Sequence, residues 1–213
     1  MKKISSIIFT LLLVATIHSQ ENEQKAKDIL TEISAETNTY ENMTFNFTLG
    51  IKSADINESQ KGNATISGEK FYYQTNDRNV ISDGQSVWTY MKEDNECYID
   101  DINDLSDGLN PSEIMTIWED NFKVVFLDEK TTNNETLQRI KLFPVDVKNS
   151  KYHTVILKVN EAKKRINSAT IKTKDGITLL FKIQNLTSNN DIDYSQFKWN
   201  PNLFPGVEEI DNR

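Results

Sequence analysis

Met43-Thr44-Phe45-Asn46-Phe47-Thr48-Leu49-Gly50-Ile51 sets apolar residues at every second position, and this alternation decides the fold. Successive side chains on a strand point to opposite faces, so the stretch predicts a long strand with one apolar face. Upstream the period changes. Ala26, Ile29, Leu30 and Ile33 fall at i, i+3, i+4 and i+7 within 22–37, the stripe of an amphipathic helix. Downstream, short strand-like runs follow at 60–67, 70–75, 78–82, 86–91 and 96–99. They are separated by turn chemistry such as Gly68-Glu69, Asn76-Asp77 and Asp83-Gly84, as in an antiparallel meander.

Residues 100–110 are acidic and without period, which predicts a loop. Pro111-Ser112-Glu113 then opens a short helix with Asn110 as its cap, and Ile114, Met115, Ile117 and Trp118 make its apolar face. Further strands are expected at 122–127, 136–143, 152–159, 166–173 and 177–184. Residues 160–164 form a polar turn and Lys174-Asp175-Gly176 a hairpin signal. A last strand is expected at 194–199, before Pro201 and Pro205. The sum is an α+β domain on a curved antiparallel sheet of about ten or eleven strands. Neither an internal repeat nor a linker interrupts it.

At the N-terminus, Met1-Lys2-Lys3 precedes an apolar stretch from Ile4 to Ile17 broken by hydroxyl residues. That is the layout of a cleavable export signal, with the cut near Ser19 and a mature chain from Gln20. It is short of the roughly 20 apolar residues a membrane span needs. No cysteine stands at the cut to be lipidated. The chain holds 24 basic and 32 acidic residues, net −8; losing Lys2 and Lys3 leaves 22 against 32, net −10. Such an acidic exported protein is a poor partner for nucleic acid and for permanent residence on an anionic membrane.

Chemistry is sparse. Cys97, the one cysteine, cannot form an internal disulfide and reads as a buried small hydrophobe. His18 leaves with the signal, so His153 is alone, without metal-ligand spacing. Asp83-Gly84-Gln85-Ser86 is not a nucleophile elbow. Asp100, Asp101, Asp104 and Asp107 lack the register of a calcium loop. Triplets such as Asn42-Met43-Thr44 and Asn185-Leu186-Thr187 follow from an Asn-rich composition. What remains is aromatic: Phe45, Phe47, Phe71, Tyr73, Trp88 and Tyr90 on nearby strands. They form either an ordinary core or the wall of an apolar pocket, and periodicity does not separate the two.

The order of these features resembles the LolA family, periplasmic carriers of outer-membrane lipoproteins, over nearly the whole of residues 20–213. The most specific match is Val80-Ile81-Ser82-Asp83-Gly84-Gln85-Ser86-Val87-Trp88-Thr89-Tyr90, similar to the family's S-D-G-x-x-x-W-x-Y hairpin. Gly62 to Tyr73, the Pro111 helix, Leu142-Phe143-Pro144, Phe197-Lys198-Trp199-Asn200-Pro201 and Pro205-Gly206-Val207 follow in the family's order. The resemblance implies a half-open antiparallel β-barrel with a helical lid and an apolar cavity shielding acyl chains. Its lining would be Phe45, Phe47, Leu49, Phe71, Tyr73, Trp88, Tyr90, Ile114, Met115, Ile117, Trp118 and Leu142. It also implies a monomer without cofactor or metal. The implied partners are acylated lipoproteins, an inner-membrane lipoprotein-releasing ABC transporter and, where present, an outer-membrane acceptor. A lipid- or lipoprotein-sensing module on the same fold is the second reading, and an envelope hydrolase the third. One departure stands out: Ser67 and Gly68 occupy the places of a family Arg-Pro tied to lid closure.

Overall fold

The computed structural model describes residues 2–104, 111–119 and 121–213, with side chains described from residue 20 onward except 104–113 and 120. Asn110, expected as a helix cap, and Asp107 of the acidic run lie outside the described residues. The strands are β1 (Met43–Lys52), β2 (Asn57–Ser67), β3 (Lys70–Gln74), β4 (Arg78–Ser82), β5 (Ser86–Met91), β6 (Glu96–Asp101), β7 (Phe122–Thr132), β8 (Glu135–Pro144), β9 (Tyr152–Asn160), β10 (Arg165–Thr173), β11 (Thr178–Ser188) and β12 (Glu208–Asp211). The α-helices are α1 (Lys2–Thr37) and α2 (Pro111–Thr116). The fold is mostly β. Among the described residues no helix is long and apolar enough to cross a membrane.

The strand order is β12-β6-β5-β4-β3-β2-β1-β11-β10-β9-β8-β7. The sheet is open, with β12 and β7 as its ends. Two expectations are corrected here. The sheet is not wholly antiparallel, because β12 runs parallel to β6. Among the described residues there are twelve strands rather than ten or eleven.

By contacts the residues form two compact units: Met1–Thr37 with Trp118–Gly176, and Asn38–Ile117 with Ile177–Arg213. In the first, α1 packs on β7. Ala26, Leu30 and Ile33 of α1 are buried, as are Val124 and Phe126 of β7, Ile140 and Leu142 of β8, and Val155 and Leu157 of β9. The expected helix 22–37 is the second half of α1. Lys25 Nζ stands 3.8 Å from the Phe126 ring centroid, an attraction between ammonium and ring face. The β7–β8 hairpin turns on Asn133 and Asn134, both at positive φ (51° and 61°). A two-residue turn of this hand matches the twist of the flanking strands, so both strands run longer than the expected 122–127 and 136–143.

In the second unit the Asp83-Gly84 turn forms as read. Asp83 Oδ1 accepts from the amides of Gln85 and Ser86 at 2.9 Å, and Gly84 sits at φ +94°, where a side chain is strained. The strand expected at 194–199 is instead a 3-10 turn, Tyr194–Phe197. Asp193 caps it, accepting from Ser195 N at 2.8 Å and Ser195 Oγ at 2.7 Å; local side-chain bonds of this kind compete with a ladder.

Candidate functional site

The ladders assign the aromatic residues to faces. Phe45 opposes Ala64, and Phe47 opposes Gly62; Ala64 opposes Tyr73 and Ile66 opposes Phe71. Leu49 opposes Phe181, and Phe47 opposes Ile183 on β11. Directly opposed residues share a face, so Phe45, Phe47, Leu49, Phe71 and Tyr73 stand together. Phe181 and Ile183 join them.

These rings touch in sequence. Phe45 meets Phe181 edge-on at 6.3 Å between centroids, and Phe181 stacks on Phe47 at 5.3 Å. Phe47 meets Tyr73 at 6.1 Å, and Tyr73 stacks on Phe71 at 6.2 Å. Separations of about 4.5–7 Å in these geometries are favourable. Gly62 makes the arrangement possible: a Cβ there would lie 2.5 Å from Phe47 Cζ. The Phe47 ring therefore lies over the β2 backbone, which only a glycine opposite it permits. Burial in this apolar setting pushes the Tyr73 phenol up to about 12.

Trp88 and Tyr90 stand on the other face. Trp88 opposes Ile81 and Tyr90 opposes Asn79, while Tyr73 opposes Val80; the parity differs by one. That second face is occupied by the C-terminal segment. Phe204 lies 4.3 Å from Tyr90, and Trp199 stacks on Phe204 at 4.6 Å. The Tyr194–Phe197 turn contacts β3 and β4, with Phe197 fully buried.

Of the helical residues, Ile114 and Met115 on α2 and Ile117 just after it are buried, and α2 contacts β2. Trp118 belongs to the first unit, where its indole N–H donates to Ser34 Oγ at 2.8 Å and Ser34 Oγ donates to Glu119 at 2.7 Å. Leu142 is buried on β8, opposite Val124 and Val155. The contribution of β11 was missed at the sequence level, although Leu179, Phe181 and Ile183 alternate within 177–184 and carry the signal. Gly62 carried no signal of its own.

The polar groups offer little chemistry. Cys97 is buried, and burial together with the Glu209 and Asp100 carboxylates pushes its thiol up to about 12, far from a reactive thiolate. Among the described residues no group of three His, Cys, Asp or Glu side chains is placed to hold a metal. A surface pocket of about 830 Å³ beside the β7–β8 hairpin is lined by charged groups, including Asp128, Glu135, Arg139 and Lys158. Asp128 and Arg139 pair within it.

The apolar face is thus a buried run of rings: Phe45, Phe47, Phe71 and Phe181 are each under 5% exposed. The model of the family described as outer membrane lipoprotein carrier protein LolA matches residues 15–177. The chain belongs to the LolA family. Solved structures share the fold of this chain at low identity. An uncharacterised conserved protein from Thermus thermophilus is 12% identical with a TM-score of 0.59, covering 88% of this chain and 99% of its own. LprF from Mycobacterium bovis is 9% identical with a TM-score of 0.51, at 81% and 98% coverage. A DUF1329 family protein from Desulfovibrio piger is 10% identical with a TM-score of 0.50, at 83% and 97%. Among curated proteins there was no match.

The departure from the LolA Arg-Pro has a backbone side. Gly68 sits at φ +58°, whereas a proline ring holds φ near −65°. Ser67 Oγ instead donates to the carbonyl of Glu41 at 2.9 Å, tying the end of β2 to the residues before β1.

Proposed function

We propose that this LolA family member is a periplasmic carrier that shields the acyl chains of lipoproteins during transfer from the inner to the outer membrane. The observation that carries the reading is the continuous aromatic face of Phe45, Phe47, Phe71, Tyr73 and Phe181. Such a face offers dispersion and burial to hydrocarbon without fixing its register. The physical need is plain: each methylene buried contributes about 0.8 kcal/mol, so a multiply acylated protein leaves a membrane very slowly unaided. Reversible burial suffices, and no covalent step is assigned. α2, through Ile114 and Met115, is the element proposed to open and close over this face, starting from its contact with β2. Gly68 and Ser67 imply a gating contact other than the family's arginine.

Export by a signal over residues 1–19 supplies the compartment. The partners in this reading are acylated lipoproteins, an inner-membrane lipoprotein-releasing ABC transporter as donor and an outer-membrane acceptor. Mass spectrometry of the protein purified from its native envelope without detergent tests it. Diacyl or triacyl lipoproteins at near-stoichiometric amounts, together with lipoproteins stranded in the inner membrane on depletion, are the expected results. Correct lipoprotein placement in depleted cells, with free lipid alone co-purifying, would move the reading to a lipid-binding or sensing module. Absence of any acyl compound would remove both.

A further inference from the structure

Val145 and Val147 stand out from the β8–β9 connection, 68% and 66% exposed. The loop that carries them is internally bonded. Asp146 Oδ1 accepts from the amides of Lys148 and Asn149 at 3.1 Å, and Oδ2 accepts from Asn149 Nδ2 at 2.7 Å. The Ser150 amide donates to the Asp146 carbonyl at 3.1 Å, and the Val145 amide to the Asn121 carbonyl at 2.8 Å. From the β10–β11 turn, the Lys174 ammonium donates to the carbonyls of Val147 and Lys148. Two aliphatic side chains are therefore held outward on a loop whose backbone groups are largely satisfied without water. That combination suits shallow insertion at the headgroup–acyl boundary, where the two side chains meet hydrocarbon.

The charges around the prongs are arranged for the same medium. Lys148, Lys151, Lys172 and Lys174 are exposed at this end of the first unit, in a chain whose net charge is −8. Asp146, which caps the loop, and Asp175, which accepts from the Thr173 hydroxyl, remain charged, so the four lysines outnumber these two carboxylates without being free of them. Local positive charge on an acidic protein orients it toward an anionic surface and leaves the rest of the molecule repelled. A standard protein interface is a broad patch with aromatic anchors; two valines ringed by lysines are not.

We propose that the β8–β9 loop is a transient membrane-contact site, in which Val145 and Val147 enter the headgroup boundary of an anionic bilayer while Lys148 and Lys151 face lipid phosphates and Lys174 holds the loop. The proposal adds a docking surface to the carrier reading and does not depend on the aromatic face, because it concerns the protein without cargo. Flotation with vesicles of phosphatidylethanolamine and phosphatidylglycerol, against vesicles of phosphatidylcholine alone, tests it on the full chain, so that residues 1–19 contribute equally to every variant. Binding to the anionic vesicles is expected to weaken about tenfold in Val145→Ser/Val147→Ser. In Lys148→Glu/Lys151→Glu it should weaken by at least roughly fivefold per lysine at low salt. A Val147→Cys variant carrying an environment-sensitive dye should shift to the blue with anionic vesicles only; Cys97 is buried and leaves the label selective. Circular dichroism checks that each variant folds. Binding unchanged by both double substitutions, or a dye that stays in water while the protein floats, overturns the proposal. So does a wild type that ignores anionic vesicles, which would leave the loop to a protein partner. None of these outcomes bears on whether lipoproteins co-purify.

Discussion

Gly62 is the position where one methyl group matters most to the aromatic face. A Cβ there would meet the Gln74 carbonyl oxygen at 2.3 Å and Phe47 Cζ at 2.5 Å, and the backbone oxygen has no freedom to yield. Gly62→Ala is expected to cost about 1–3 kcal/mol through overpacking, read as a lower urea midpoint. Gly50→Ala is the control. Its Cβ would meet Leu180 Cβ at an ordinary 3.6 Å, and alanine restricts the unfolded chain, so the midpoint should hold or rise. Tyr73 gives a second test on the same face. Its folded-state value is raised to about 12 by burial, whereas a phenol in the unfolded chain ionises near about 10. A raised folded value means stability fully present below the unfolded value and lost as pH climbs from about 10 to about 12. The melting temperature of the wild type should therefore fall more steeply across that window than that of Tyr73→Phe. Parallel curves would show that the phenol is not the group responsible.

The C-terminal segment is where element-scale reading and structure part company. Phe197 was placed on a strand, yet it is the buried end of a 3-10 turn on β3 and β4. Truncating it to alanine should cost about 3–5 kcal/mol and speed proteolysis after residue 190; a loss under about 1 kcal/mol would show that the segment is not anchored there. The strands that alternate, β1 above all, were legible because a period of two survives any tertiary context. The hairpin at Asp83-Gly84 was legible because its turn chemistry is local. β12 was not: Glu208-Glu209-Ile210-Asp211 has no apolar alternation, and its parallel pairing with β6 brings together residues far apart in the chain. The Asn133-Asn134 turn was missed because asparagine tolerates positive φ without announcing it as glycine does. Among the described residues, five of the six non-glycine residues at positive φ are asparagines; four of them stand outside the strands, and Asn185 is within β11.

At the scale of the whole molecule, the candidate site was legible as a set of residue types and not as a surface. Trp88 and Tyr90 alternate as cleanly as Phe45 and Phe47, and nothing in a strand's own sequence says which of its faces joins a neighbour's. Register decides that, and here it sends Trp88 and Tyr90 to the face held by Trp199 and Phe204. The separation makes the acyl-binding proposal testable by contrast. Phe47 touches both Phe181 and Tyr73, so Phe47→Ala cuts the aromatic run in its middle and removes the ring on which bound hydrocarbon would rest. Titration with a fluorescent fatty acid should then show affinity reduced about tenfold or more, in line with the loss of one well-buried aromatic contact. Trp88→Ala removes a larger ring from the opposite face and should lower stability while leaving that affinity within about twofold. Denaturation curves for both variants separate lost binding from lost fold. Equal losses of affinity would mean that hydrocarbon does not distinguish the two faces, and the aromatic run would then be core alone.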